Sequence, residues 1–226
     1  MRGHKGGFLI SLASFSMGDR DRVAGLRDRV IAILGWGSLI WDTKHKDAPC
    51  FDKWHESWLE DGPSIKLEFS RISEKSRPGA LTLVIDPVHG SICQVLYCLS
   101  RRTVPSDAFE DLRKRENIPS GRDDNIPRSI GRLLRDKAQS VCRDKESCQS
   151  IQAWAESKNI AVVTWTDLSS NFTKIKNKQF SIPEALAHLE TLGPDARAMA
   201  LEYARRAPPC VRTGFRRALE ADLRFR

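Results

Sequence analysis

Apolar and polar positions alternate along this chain in a way that puts strands in its first half and helices in its second. Val30-Ile31-Ala32-Ile33-Leu34 is an unbroken apolar run that stops at Gly35-Trp36-Gly37-Ser38. That pattern predicts a core strand running into a tight loop. Ile65, Leu67 and Phe69 alternate with polar residues, which predicts a half-buried strand. Leu81–Ile85, the turn residues Asp86-Pro87-Val88-His89-Gly90 and the run Ile92–Leu99 together predict a β-hairpin. Residues 42–63 read as loop or short helix.

Helix signals follow. Asp107 and Glu110 have capping-box spacing at the start of a helix that reaches Glu116, and Asn117-Ile118-Pro119-Ser120-Gly121 stops it. Residues 120–150 are polar and charged, with a helix expected around Ile130–Val141. Ile160–Thr166 predicts another strand. Ser181-Ile182-Pro183-Glu184 opens a helix that Gly193-Pro194 closes. A second helix is expected over Asp195–Arg206, broken by Pro208-Pro209. Phe215, Leu219 and Leu223 stand at four-residue steps, as on an amphipathic helix docked against a body. The succession is that of an α+β protein. Residues 1–29 read as an extension, disordered or preceding a true start at Met17. Residues 30–226 read as one domain with a charged insertion around 118–159.

Composition narrows the class. Hydrophobic residues make up 40% and charged residues 29% of the 226, the balance of a globular protein. No run approaches the ~20 apolar residues of a membrane span. The net charge of +8 is spread along the chain among Asp and Glu, which argues against a nucleic-acid face. The six cysteines form no Cys-x-x-Cys, so a reduced cytoplasmic protein is expected rather than a disulfide scaffold.

Two features carry candidate chemistry. Glycines flanking Trp36 allow backbone angles that other residues avoid, and they let N–H groups approach a ligand. The second feature is a carboxylate. Phe109, Leu112 and Glu116 fall at i, i+3 and i+7, so Glu116 shares the apolar face while Arg113, Lys114 and Arg115 point elsewhere. A buried carboxylate has a raised pKa and suits acid/base work. A frayed helix end, with Glu116 solvated or paired to Arg113, is the alternative.

Gly35-Trp36-Gly37-Ser38-Leu39-Ile40-Trp41 resembles the Gly-Tyr-Gly-Ser-Leu signature of γ-glutamylcyclotransferase-like proteins, most of all their ChaC branch. Leu112-Arg113-Lys114-Arg115-Glu116 is similar to the element that carries that branch's glutamate. Arg77-Pro78-Gly79-Ala80-Leu81 is similar to its Pro-Gly stretch before a strand. The likeness covers about residues 30–117 and, weakly, Val162–Phe172 with the helix after it. Trp36 departs from it, removing a tyrosine hydroxyl.

The resemblance implies a small mixed β-barrel with flanking helices and a cavity at one end. It implies that a γ-glutamyl compound cyclises to 5-oxoproline, releasing an amine or peptide without a metal or redox cofactor. Glu116 would be the general acid/base. Gly35, Trp36, Gly37, Ser38 and Leu39 would bind the substrate. A non-catalytic ligand-binding or interaction domain on the same fold is the alternative. His45, Cys50 and His55 match no common zinc spacing. Ile40 breaks both a dinucleotide fingerprint and a nucleophile elbow.

Overall fold

The computed structural model describes residues 30–42, 57–120 and 126–225. The expectations for residues 1–29 and for His45, Cys50 and His55 lie outside the described residues. Eight strands form among the described residues: β1 (Ile31–Gly35), β2 (Ser64–Ile72), β3 (Leu81–Ile85), β4 (Ser91–Gln94), β5 (Leu96–Leu99), β6 (Ile130–Leu134), β7 (Gln139–Val141) and β8 (Val162–Thr166). Seven helices accompany them: α1 (Ser38–Trp41), α2 (Pro105–Arg115), α3 (Lys145–Ser157), α4 (Phe172–Lys176), α5 (Ile182–Glu190), α6 (Pro194–Arg205) and α7 (Gly214–Ala221).

β1 is apolar throughout because both of its faces are covered. It lies inside a five-stranded sheet of order β5-β1-β8-β6-β7, antiparallel to β5 and parallel to β8. Ile31 and Ile33 pack under α2 with Phe109 and Leu112, while Ala32 and Leu34 join the larger core on the opposite face. Burial on both faces turns a strand's alternation into a continuous apolar run. Burying Phe109 and Leu112 stabilises the α2 contact by about 1.5–3 kcal/mol each.

The architecture is mixed α+β, and several expectations need correction. No closed barrel forms among the described residues; a separate three-stranded sheet has the order β3-β2-β4. The expected hairpin of Leu81–Ile85 with Ile92–Leu99 does not form, because β2 lies between the two strands and pairs with both. The run Ile92–Leu99 is itself cut at Val95, where the chain passes from one sheet to the other. Gly62 N–H donates to the Val95 carbonyl (3.1 Å) and Val95 N–H to that of Pro63 (3.0 Å). A Cβ on Gly62 would stand 2.3 Å from the Val95 oxygen, so only glycine fits the crossing.

The helix expected over Ile130–Val141 is instead the antiparallel pair β6 and β7, joined by a short 3₁₀ turn with Ala138 at φ 48°. β6 pairs with β8 inside the main sheet, so the charged region contributes to the body as well as its surface. The helix of this region is α3, capped by the Asp144 carboxylate accepting from Ser147 N–H at 2.8 Å.

The later helices follow their sequence signals. Ser181 caps α5 through the Glu184 N–H, and Pro194 opens α6. α7 buries Phe215 and Leu219 but ends at Ala221. Leu223 lies beyond it, 73% exposed, and Phe225 is buried instead. No helix among the described residues is long and apolar enough to cross a membrane.

Candidate functional site

β1 and β8 run parallel, so their carboxyl ends open at the same edge of the sheet. There the chain leaves β1 through Gly35-Trp36-Gly37 into α1. A cleft of about 340 Å³ lies at this edge. Gly35–Leu39 form one wall, and Glu116 to Pro119 approach from α2. The stretch Arg71–Arg77, Thr166, Leu168 and Tyr203 also line the cleft. The tertiary structure therefore brings together the two segments singled out in the sequence.

The two glycines of the loop are required for space rather than for angle. Among the described residues only Gly79 has positive φ among the glycines, so neither Gly35 nor Gly37 uses the left-handed region. A Cβ on Gly35 would lie 2.6 Å from the Trp58 ring, and one on Gly37 would lie 2.7 Å from the Tyr203 hydroxyl. Trp36 and Leu39 line the cleft, yet both side chains are buried in the cores below it. Ser38 is partly exposed at the start of α1.

Glu116 is held firmly, not frayed. The first turn of α2 differs from the expected capping box: Val104 is the cap, without a side-chain bond, and Pro105 begins the helix. The other end is well defined. Asn117 N–H donates to the Lys114 carbonyl and Ile118 N–H to that of Arg113, both at 3.0 Å, with Asn117 at φ 49°. This is a Schellman closure with asparagine in the left-handed position, and buried Ile118 supplies its apolar contact. Glu116 is the cap residue itself.

The alternative pairing of Glu116 with Arg113 is not what forms. Arg113 is bonded to Glu110 at 2.6 and 2.7 Å. Among the described residues the nearest cation to the Glu116 carboxylate is Arg115 Nη1 at 3.7 Å, and the Glu116 side chain is 20% exposed.

Arg115 corrects the helical-wheel reading most clearly. It was expected to point outward, yet it is 4% exposed. Its Nη2 donates to the carbonyls of Ser38 (3.0 Å) and Asp42 (2.6 Å). One guanidinium thus clamps both ends of α1 against α2 and fixes the glycine loop relative to Glu116. A second cation, Arg77, pairs with Asp42 at 2.5 Å and lies over the rings of Trp41 and Tyr203, 5.3 and 5.2 Å from their centroids.

Electrostatic effects act on Glu116 in opposing directions. Loss of solvent in the cleft pushes its carboxyl above the ordinary range. The charges of Arg115 and Arg77 pull it down, and Asp42 pushes it up. Tyr203 is also driven upward by burial, to about 12, so its phenol keeps its proton.

Arg115 and Tyr203 were both missed from the sequence. Arg115 carried a faint signal as the residue beside Glu116. Tyr203 carried none, since it sits on a distant helix that only the fold brings to the loop. Among the described residues, no group of three or more His, Cys, Asp or Glu side chains is placed to hold a metal ion. No protein-family model, curated protein or solved structure matches the chain.

Proposed function

We propose that this cleft turns a γ-glutamyl amine or peptide into 5-oxoproline and a free amine. In this reading the two-sheet α+β body is a γ-glutamylcyclotransferase-like fold without a closed barrel. The observation that carries the reading is the carboxyl of Glu116. It is largely removed from water, its one cation contact among the described residues is 3.7 Å long, and it shares a cleft with the Gly35–Leu39 loop.

Each demand of the reaction has a group to meet it. The substrate's α-amine attacks in its neutral form, and Glu116 accepts the proton that its nitrogen sheds as the new bond forms. A bond forms between the amine nitrogen and the γ-carbonyl carbon, and the carbonyl electron pair moves to oxygen. Backbone N–H groups of the Gly35–Leu39 loop stabilise that charge, with the Ser38 hydroxyl as a further donor. The intermediate then breaks its bond to the leaving nitrogen, and Glu116 returns the proton to it. Folding the substrate in the cleft supplies the proximity that five-membered ring closure requires. The spacing of the cysteines supports a cytoplasmic setting, where such a substrate would be met with thiols reduced.

The test is incubation with a panel of γ-glutamyl amino acids, peptides and polyamines, assayed for 5-oxoproline. Release by the wild type, abolished in Glu116→Gln, is the expected result. Binding of these compounds with no release would leave a ligand-binding domain and overturn the enzymatic reading.

A further inference from the structure

Tyr203 is the one phenol on the cleft wall. It comes from α6, far along the chain from β1, and is 5% exposed. Its ring is fixed on several sides. Trp41 and Phe69 meet it edge-on at centroid distances of 6.0 and 6.1 Å, and the Arg77 guanidinium lies 5.2 Å from its centre. The hydroxyl abuts the loop so closely that a Cβ on Gly37 would lie 2.7 Å from it.

The backbone of Ser38 and of Leu83 pulls the pKa of the phenol down, against the larger upward effect of burial. A phenol has one proton of its own to give besides the bonds that it accepts. The charge of Glu116 is felt at the same hydroxyl, so the two groups share one space.

We infer that the Tyr203 hydroxyl is the donor that meets the γ-carbonyl oxygen of the substrate as negative charge collects there. This rests on the cyclisation proposed above and adds a residue to it. When the α-amine attacks, the carbonyl electron pair moves onto oxygen and the Tyr203 O–H shortens its hydrogen bond to that oxygen. The phenol proton is not transferred: proton traffic stays with Glu116. Gly37 is glycine because the phenol occupies the space of a side chain there.

The experiment compares wild type, Tyr203→Phe and a series with fluorinated tyrosines of graded acidity at position 203, on the same γ-glutamyl panel. Tyr203→Phe keeps the ring packing and loses the donor. Its kcat is expected to fall about 10²–10³-fold, the usual cost of one oxyanion donor, with KM little changed. Across the fluorinated series kcat should rise with phenol acidity while the phenol remains protonated. A purely structural tyrosine would show no such trend. If Tyr203→Phe does not fold, the fluorinated series still decides, because it retains the hydroxyl. A flat fluorinated series, or a Tyr203→Phe enzyme as fast as wild type, overturns the role of Tyr203 alone. A wild type that releases no 5-oxoproline from any compound overturns the cyclisation and this inference together.

Discussion

Glu68 and Glu116 are both carboxylates withdrawn from water, and burial raises the pKa of each. They differ in what they are bonded to. Glu68, on β2, is fully buried. Its oxygens accept from Phe69 N–H (2.8 Å), Gly214 N–H (3.0 Å) and Phe215 N–H (3.3 Å). It closes the amino end of α7 and ties that helix to the three-stranded sheet. Among the described residues Glu116 keeps a partly open face and one long contact, to Arg115. A buried charge whose lone pairs are all engaged holds structure, because any change leaves several donors unpaired. A desolvated charge with spare lone pairs, facing a cleft, is free to exchange protons. The number of engaged lone pairs, rather than burial alone, separates the two roles.

That contrast breaks most sharply under paired substitution. Glu116→Gln is expected to cut 5-oxoproline release by about 10²–10⁴-fold, the span of general acid/base catalysis, while circular dichroism stays that of the wild type. Glu68→Ala should do the reverse. It leaves the Gly214 and Phe215 amides unpaired and should lower unfolding free energy in urea by about 3 kcal/mol, with turnover per folded molecule retained. If Glu68→Ala stays stable, or Glu116→Gln unfolds, the contrast fails.

Arg115→Met comes next. It breaks two charged hydrogen bonds that hold α1 to α2 and should cost about 2–3 kcal/mol, with kcat falling as the glycine loop loses its place beside Glu116. Arg102 is a useful control, since its bidentate bond to Asp111 lies on a partly exposed part of α2.

A pH profile sharpens the comparison further. Turnover needs Glu116 deprotonated, so kcat/KM should fall on acidification with a midpoint above the ordinary carboxylate range. Arg77 lowers the pKa of Glu116, so Arg77→Met should move that midpoint to higher pH. Stability carries the same sign. A carboxyl raised in the folded state binds its proton more tightly there than in the unfolded chain. The wild type therefore loses stability as pH rises from the unfolded pKa through the folded one. Glu116→Gln lacks that loss and should melt higher than wild type at neutral pH, with the gain shrinking as pH falls. The smallest effect concerns the helix end: Asn117→Val should cost about 1 kcal/mol, because a β-branched residue resists the left-handed position, and Asn117→Gly should cost less.

The elements that read correctly carry local signals. β1 is an apolar run closed by glycine. α5 starts at Ser181, whose side chain bonds to Glu184 N–H, and α6 starts at Pro194 just after Gly193. The errors lie where neighbours in space decide. β6 reads as part of a helix until Trp165 of β8 is seen beside it: a Cβ on Gly131 would stand 2.1 Å from that indole. α3 was overlooked, although Ser147, Ile151, Trp154 and Ala155 recur at helical spacing behind an Asp144 cap. Glu68 belongs by alternation on an exposed face, yet α7 lands on it and the β2–β3 register shifts between Glu68 and Arg71. Of the cleft, the glycine loop and Glu116 were legible. Arg115 and Tyr203 were not, since the sequence position of neither says which carbonyl or amide it will meet.

What the sequence by itself determined is the set of short-range facts: where strands and helices begin, which faces are apolar, and that one glutamate sits on an inward stripe. Those follow from side-chain period and capping, which act over a few residues. Only the tertiary structure decided that Ile92–Leu99 divides between two sheets and that Arg115 turns inward. It alone set the Tyr203 phenol against Gly37. These are contacts between segments distant in the chain, selected by which surfaces fit once the core closes, and no local pattern encodes them.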